Sequence, residues 1–191
     1  MRKTTLKILA GLALCLCAQA ASADDWTWYL GASAGRTKSQ DAACVFPDVP
    51  CDRSSNNGGV QLGVEFDKNW AVEIGYKDLG RIVDQNDGMG GSTLVKTRLG
   101  EASVLGMLPI WRVAPYLRGG VYYAHNALES TMVPGATGDQ MGWQYGVGIR
   151  FDITKWLAVR AEWQRYNNVG HANVGTRADV ETSTFGVLLR F

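Results

Sequence analysis

The chain has 191 residues, of which 46% are hydrophobic and 19% are charged, and its formal net charge is +1. This length is typical of one domain. The near balance of acidic and basic residues argues against a nucleic-acid partner, which would favour a strongly basic surface.

The first 23 residues have the three parts of a secretory signal peptide. A basic head (2–7) precedes an apolar run (8–18), and the small residues at 21–23 form a cleavage site. The apolar run is too short for a transmembrane helix, which needs about 20 residues. We therefore expect a cleaved signal peptide over 1–23 and one mature domain over 24–191, with a net charge of −2.

Two cysteines, Cys44 and Cys51, remain after the predicted cleavage, and two prolines lie between them. In an exported protein, the compartment favours a disulfide that closes this loop. Two free thiols are the alternative. Two cysteines without nearby histidines fall short of a metal-ligand set, so we predict no metal site.

The rest of the chain alternates strand-like runs with polar stretches rich in glycine and asparagine. Apolar residues recur at every second position within each run, although Leu105 and Met107 interrupt this alternation. Each run is about 8 to 11 residues long, which suits a tilted strand that crosses a bilayer. The eight runs are 28–35, 59–66, 70–77, 100–108, 115–124, 142–151, 157–166 and 183–191.

The links between the runs differ in length. Links after the second, fourth and sixth runs are short (67–69, 109–114 and 152–156), whereas the others are long and polar. Short periplasmic turns and long extracellular loops are typical of transmembrane barrels, and a closed ring leaves no strand edge in lipid. We predict an all-β fold, an eight-stranded antiparallel up-and-down transmembrane β-barrel.

The two faces of the predicted strands differ in polarity. One face carries aliphatic residues, with aromatic residues at both strand ends as in the girdles of membrane barrels. The other face carries charges and many glycines, as a narrow interior filled by long side chains requires. We therefore place the polar face inside and the apolar face in lipid. A secreted lipocalin-like barrel is the alternative, although its apolar cavity would have to hold these charges.

The charged residues of the inner face predict an ion-pair cluster in the lumen. Acids and bases are nearly balanced, which favours mutual neutralisation over ion conduction, because eight strands enclose little more than side chains. A narrow pore remains the alternative. The predicted cluster comprises Glu65, Glu73, Lys77, Glu101, Arg118, Arg150, Asp152, Arg160 and Glu162.

Three basic residues, Lys96, Arg98 and Arg165, continue the outward alternation just beyond the predicted lipid band. Guanidinium and ammonium groups at this height are suited to binding lipopolysaccharide phosphates. We therefore expect contacts with outer membrane lipid and lipopolysaccharide. The long loops are the expected site of contacts with host or surface ligands, since binding residues concentrate on loops.

Five stretches resemble the transmembrane barrel of the outer membrane protein A family, over essentially the whole mature chain. They are WYLGASAG (28–35), GVEFDKNWAVEIGYKDLG (63–80), PYLRGGVYY (115–123), AEWQRYNNVG (161–170) and GVLLRF (186–191). The resemblance implies an outer membrane location, and we expect a monomer. It also implies that Phe185, Val187, Leu189 and Phe191 form a recognition strand for the barrel assembly machinery.

Larger members of this family carry a periplasmic peptidoglycan-binding domain after the barrel. Because this chain stops at Phe191, the resemblance does not imply cell-wall anchoring.

The resemblance also implies an ion-pair cluster inside the barrel. Glu73 and Arg160 match the family's acid and base, but Leu105 replaces a lysine and Arg150 replaces a glutamate. We therefore expect a rearranged pairing. Its expected members are Glu73, Glu101 and Glu162 against Arg118, Arg150 and Arg160.

Some eight-stranded outer membrane proteins are enzymes that modify lipid A, and one of them uses a His-x-Ser-Asn segment. Residues 167–175 match this only superficially, because His171 is followed by Ala172 and Asn173 and the serine nucleophile is missing. The other histidine, His125, has no serine and acid at suitable spacing. We predict a non-enzymatic protein without a cofactor that has a structural or surface-interaction role. A narrow pore and a lipid A-modifying enzyme are the alternatives.

Overall fold

The computed structural model describes residues 26–40, 51–52, 54–86, 92–130, 136–169 and 178–191. Across these ranges, no helix is long and apolar enough to span a bilayer. The described residues contain nine β-strands: β1 (Thr27–Gln40), β2 (Cys51–Asp52), β3 (Ser54–Glu65), β4 (Trp70–Asn86), β5 (Ser92–Met107), β6 (Val113–Ser130), β7 (Ala136–Asp152), β8 (Leu157–Val169) and β9 (Ala178–Arg190).

Eight of these strands form a closed antiparallel ring. From β3 to β9 each strand pairs with the next along the chain, and β1 lies between β3 and β9. The pairing of β4 with β5 completes the circle, so the ring has no open edge. The two-residue β2 pairs with the end of β4. The predicted eight-stranded antiparallel barrel is confirmed.

The strands are longer than the eight predicted runs. At the ends near the short turns, prediction and structure agree within two residues, and the irregular turns cover 66–69, 108–112 and 153–156. At the opposite ends the strands continue for three to nine further residues. Backbone pairing there continues beyond the alternating apolar residues, so the sequence pattern that reveals a half-buried strand is lost.

Alternate residues point to opposite sides of the barrel wall. Leu30, Ile74 and Phe185 are exposed on the outside, whereas Glu73 and Arg118 are buried inside. Leu105 and Met107, which interrupt the alternation in the sequence, both point inward. Apolar as well as charged side chains therefore fill the interior.

Two apolar clusters lie inside the barrel at different heights. One is near the end opposite the short turns and contains Leu79, Val95, Leu99, Tyr122, Ala124, Tyr166, Val169, Ala178 and Val180. The other is nearer the short turns and contains Tyr29, Ala71, Leu105, Met107, Tyr116, Ala158 and Leu188. Most of the buried charged side chains lie between these two clusters.

Candidate functional site in the barrel lumen

Arg118 on β6 is the centre of a buried network that we call the central network. Its Nη2 lies 3.0 Å from Glu73 Oε2 and 3.0 Å from Glu101 Oε1, and its Nη1 lies 3.1 Å from Glu162 Oε2. Its Nε donates to Ser103 Oγ at 2.9 Å. One guanidinium therefore joins carboxylates from β4, β5 and β8, which suits its fixed fork of five donors.

Two further cations complete the central network. Arg160 Nη1 donates to Glu73 Oε1 at 2.6 Å. Lys77 Nζ lies 3.6 Å from Glu101 Oε1 and 3.8 Å from Glu162 Oε1. Each of the three carboxylates therefore faces two cations, and three acids balance three bases. Such balance matters because a buried charge is costly unless it is paired and hydrogen-bonded.

A tyrosine hydroxyl donates to each carboxylate of the central network. Tyr29 donates to Glu73 Oε1 at 2.8 Å, Tyr116 to Glu162 Oε2 at 2.7 Å, and Tyr166 to Glu101 Oε2 at 2.7 Å. Tyr166 also lies 3.1 Å from Lys77 Nζ, which in addition donates to Gln164. These tyrosines are not members of the cluster that the sequence predicts. The sequence feature that could have predicted them is a tyrosine on the inner face with charged residues as its predicted neighbours.

A second group of charges, the mouth network, lies at the end of the lumen that carries the short turns. Arg150 Nη1 lies 2.9 Å from Glu65 Oε1, and its Nε lies 3.1 Å from Asp152 Oδ1. Arg190 reaches the same two acids, with Nη2 at 2.7 Å from Asp152 Oδ1 and Nε at 3.4 Å from Glu65 Oε1. The nine residues of the predicted cluster are thus divided between two networks, and Arg190 joins the second.

Arg150 is not part of the central network, although the expected rearranged pairing set it against the acids of that network. It lies directly opposite Arg160 in the pairing of β7 with β8. Like charges at opposite positions repel, and the Arg150 side chain pairs with the acids at the mouth instead. Lys77 provides the third cation of the central network in its place.

The three outward basic residues lie on the parts of their strands that are away from the short turns. Arg98 Nε lies 3.2 Å from Asp78 Oδ2, and both side chains are exposed. Arg165 Nη2 lies 2.7 Å from Asp179 Oδ2, and its Nη1 lies 3.3 Å from Glu181 Oε1. Lys96 is partly exposed.

Asp179 lies beyond the lipid-facing apolar residues of β9. The hydrogen bond from Arg165, together with one from the backbone N–H of Asn168, lowers the pKa of the Asp179 carboxyl below its ordinary value. The outward bases Arg98 and Arg165 therefore already have acidic partners.

The histidines and cysteines are described only in part. His125 Nδ1 lies 2.6 Å from Asp139 Oδ1 on the neighbouring strand, an acid partner that the sequence pattern does not predict. His171 and Cys44 lie outside the described residues, and only the backbone of Cys51 is described. Within the described ranges, no three His, Cys, Asp or Glu residues are grouped to hold a metal ion.

The last strand closes against the first. Phe185, Val187, Leu189 and Phe191 are exposed on the outer face. Phe191 N donates to Trp28 O at 2.9 Å, and Trp28 N donates to Phe191 O at 3.2 Å. The predicted recognition residues therefore lie along the junction of β9 with β1.

A closed antiparallel barrel with an apolar exterior and ionised side chains inside has the architecture of a bacterial outer membrane β-barrel protein. Comparison with known proteins gives the same class. The family model described as "Outer membrane protein beta-barrel domain" matches residues 8–191, and the chain belongs to this family.

Outer membrane protein A of Salmonella typhi is 30% identical over 197 residues, covering 100% of this chain and 56% of that protein. The chain thus spans about half the length of the curated relatives that it matches. The predicted resemblance and the outer membrane location are confirmed.

Solved structures agree on the fold. The crystal structure of Neisserial surface protein A matches with a TM-score of 0.65 at 15% identity, over 86% of this chain and 97% of that one. A major outer membrane protein from Thermus thermophilus also matches with a TM-score of 0.65, at 12% identity, over 87% of this chain and 100% of that one. At these identities the likeness concerns the fold alone.

Proposed function

We propose that this outer membrane protein is not an enzyme and has a structural and surface-interaction role, with a lumen closed by its own charged side chains. The observation that carries the proposal is the position of Arg118, whose guanidinium holds three carboxylates from three strands at 3.0–3.1 Å. All four side chains are almost completely buried.

The surroundings of the central network support a closed lumen rather than a pore. An apolar cluster lies on each side of it along the barrel, so a hydrated ion would have to pass two dehydrated regions. Opening the network itself would separate paired buried charges, which is strongly unfavourable. Eight-stranded barrels also have an interior just wide enough for side chains.

Planar-bilayer recording tests this proposal directly. We expect the purified, folded protein to give no unitary conductance steps. The matched variants are Arg118→Gln in the central network and Arg98→Gln on the outer surface. Reproducible steps in the parent that change size in Arg118→Gln but not in Arg98→Gln would establish a pore and refute the closed lumen.

The absence of enzymatic activity requires a separate measurement. We expect the mass spectrum of lipid A to be the same with and without overproduction of the protein. The His125–Asp139 pair provides the matched variant, because it is the described histidine–acid contact. A change in lipid A mass that disappears in His125→Ala would indicate a hydrolase.

We also propose that Lys96, Arg98 and Arg165 contact lipopolysaccharide phosphates. Their outward direction near the extracellular strand ends supports this. The acids beside Arg98 and Arg165 compete for the same guanidinium groups. Neutralising all three bases is expected to lower the amount of lipopolysaccharide that copurifies with the barrel, and unchanged retention would contradict the proposal.

Two covalent features complete the proposal. We propose cleavage after Ala23 and a disulfide between Cys44 and Cys51. The intact mass of the protein from the outer membrane is expected to be that of a chain that begins at Asp24. On reduction, this mass is expected to increase by that of two hydrogens. An unreduced mass that already contains two thiols would support the free-thiol alternative.

We further propose that Phe185, Val187, Leu189 and Phe191 are recognised during assembly and that the folded barrel is a monomer. Replacing Phe191 by Ser is expected to reduce the folded, heat-modifiable fraction in the outer membrane. The outward Val121→Ser on β6 is a matched control. Equal losses in both variants would show that the effect is not specific to the last strand.

A further inference from the structure

The turn between β5 and β6 has an unusual backbone. Ile110 and Val113 exchange two backbone hydrogen bonds, of 2.7 and 3.0 Å, so that Trp111 and Arg112 form a two-residue turn. Trp111 has a φ of 59°, whereas Arg112 does not have a positive φ. Positive φ at the first central position alone is typical of type II′ turns, which strongly favour glycine there. A tryptophan at this position is strained, because its Cβ crowds the backbone.

Contacts with the described residues of the protein do not explain this strain. The Trp111 side chain is 87% exposed, the largest value among the exposed large hydrophobic residues. The ring contact that the structure gives it is with Arg112, whose guanidinium carbon lies 5.2 Å from the ring centre. A strained, exposed tryptophan beside a cation indicates that another surface covers it.

The outer face of this hairpin shows what that surface is. Its outward positions remain apolar up to the turn, with Leu108, Ile110, Val113 and Pro115 following one another. From Val113 to the girdle residue Tyr123 is ten residues, which in a tilted strand span about 25 Å, the height of the lipid-facing band. The turn therefore lies at the boundary between hydrocarbon and headgroups, where tryptophan is favoured.

The other two short turns carry the same combination of charge and aromatic side chain. Lys68 precedes Trp70 by two positions, and Lys155 precedes Trp156. These bases are exposed, and Asp67 is the acid among residues 66–69, 108–112 and 153–156. The three turns thus present three bases and one acid, which is complementary to an anionic lipid surface.

We propose that the Trp111–Arg112 turn anchors the barrel in the periplasmic leaflet of the outer membrane by binding anionic phospholipid. The Trp111 ring lies in the headgroup layer, and the Arg112 guanidinium, stacked on that ring, binds a lipid phosphate. Lys68 and Lys155 extend the contact around the rim. This inference does not depend on the lumen, so the two proposals can fail separately.

Tryptophan quenching in vesicles tests the position of the ring. The intact barrel is reconstituted with lipids brominated near the headgroup or deep in the acyl chain, and Trp111→Phe is compared with the parent. The difference in tryptophan fluorescence between the parent and Trp111→Phe is the Trp111 signal. We expect strong quenching by shallow bromine, weaker quenching by deep bromine and little by aqueous iodide. Trp143→Phe, on the outer face near the opposite end, is the matched control for an ordinary girdle residue.

Variants at the turn test the anchor energetically. The urea concentration at the midpoint of unfolding of the parent protein is expected to rise when phosphatidylglycerol replaces phosphatidylcholine in the vesicles. Arg112→Gln is expected to reduce that rise. Trp111→Gly relieves the backbone strain, so a loss of stability that it shows in anionic vesicles but not in neutral ones comes from the lost lipid contact. The proposal is overturned if iodide quenches the Trp111 signal while bromolipids do not, or if Trp111→Gly is more stable than the parent in anionic vesicles.

Discussion

Tyr29 on β1 and Gly63 on β3 are directly opposite one another in the antiparallel pairing of these two neighbouring strands. The Tyr29 ring occupies the space beside Gly63 so closely that a Cβ at residue 63 would lie 2.2 Å from ring atom Cζ. This position brings the Tyr29 hydroxyl within 2.8 Å of Glu73. Tyr116 and Gly148 repeat the arrangement for Glu162. Two glycines of the inner face, Gly63 and Gly148, therefore determine where two of the three phenol donors of the central network lie.

Adding one methyl group at Gly63 is expected to displace the Tyr29 ring. Gly63→Ala should destabilise the barrel by about 1–3 kcal/mol, because the new Cβ overlaps atoms of a ring whose hydroxyl is hydrogen-bonded to Glu73. Urea unfolding in vesicles measures the change. Gly119→Ala is the matched control, since no atom of the described residues lies within 4 Å of its added Cβ. A Gly63→Ala barrel as stable as Gly119→Ala would show that the ring has room to move.

Removing one phenol hydroxyl from the central network is expected to lower stability without changing the shape of the interior. Tyr166→Phe should cost about 1–3 kcal/mol, because Glu101 loses a donor and remains buried. The same unfolding assay gives the difference. Tyr76→Phe, on the exposed outer face, is expected to change stability by no more than about 0.5 kcal/mol. Equal effects of the two substitutions would contradict a role for the buried hydrogen bond.

Replacing the central guanidinium is expected to have the largest effect of the single substitutions. Arg118→Met leaves three buried carboxylates with fewer cations and should cost about 3–5 kcal/mol or prevent folding. Arg98→Met removes an ion pair whose side chains are 61% and 48% exposed, and should cost at most about 1 kcal/mol. If Arg118→Met does not fold, Arg118→Lys provides a milder test, with a loss between these limits. Similar midpoints for Arg118→Met and Arg98→Met would refute the central position of Arg118.

The mouth network is expected to contribute less than the central one. Arg190→Gln removes a partner from Asp152, whose side chain is 28% exposed, so water compensates part of the loss. We expect a cost of about 1–2 kcal/mol, between the values for Arg118 and Arg98. Arg36→Gln, an exposed position on the outside of β1, is the control. A loss from Arg190→Gln as large as that from Arg118→Met would place the main stabilising charges at the mouth instead.

The sequence alone determined the barrel and the direction of its side chains. Every residue of the predicted cluster points inward, since in a strand the alternation of faces is a local property that follows from the pleat. The short turns were also placed within two residues, because the lipid-facing pattern continues up to them. The opposite strand ends were not found, since pairing there continues without that pattern.

The tertiary structure decided which of the inward residues meet. Arg160 and Glu73 are 87 positions apart, and Arg118 joins three strands that are not all its neighbours. Such contacts depend on the stagger between strands and on how far each side chain crosses the lumen, and neither is encoded in the alternation of a single strand. For that reason the sequence predicted the charges of the interior, whereas the separation into two networks, the tyrosine donors and the strained Trp111 turn emerged only from the closed barrel.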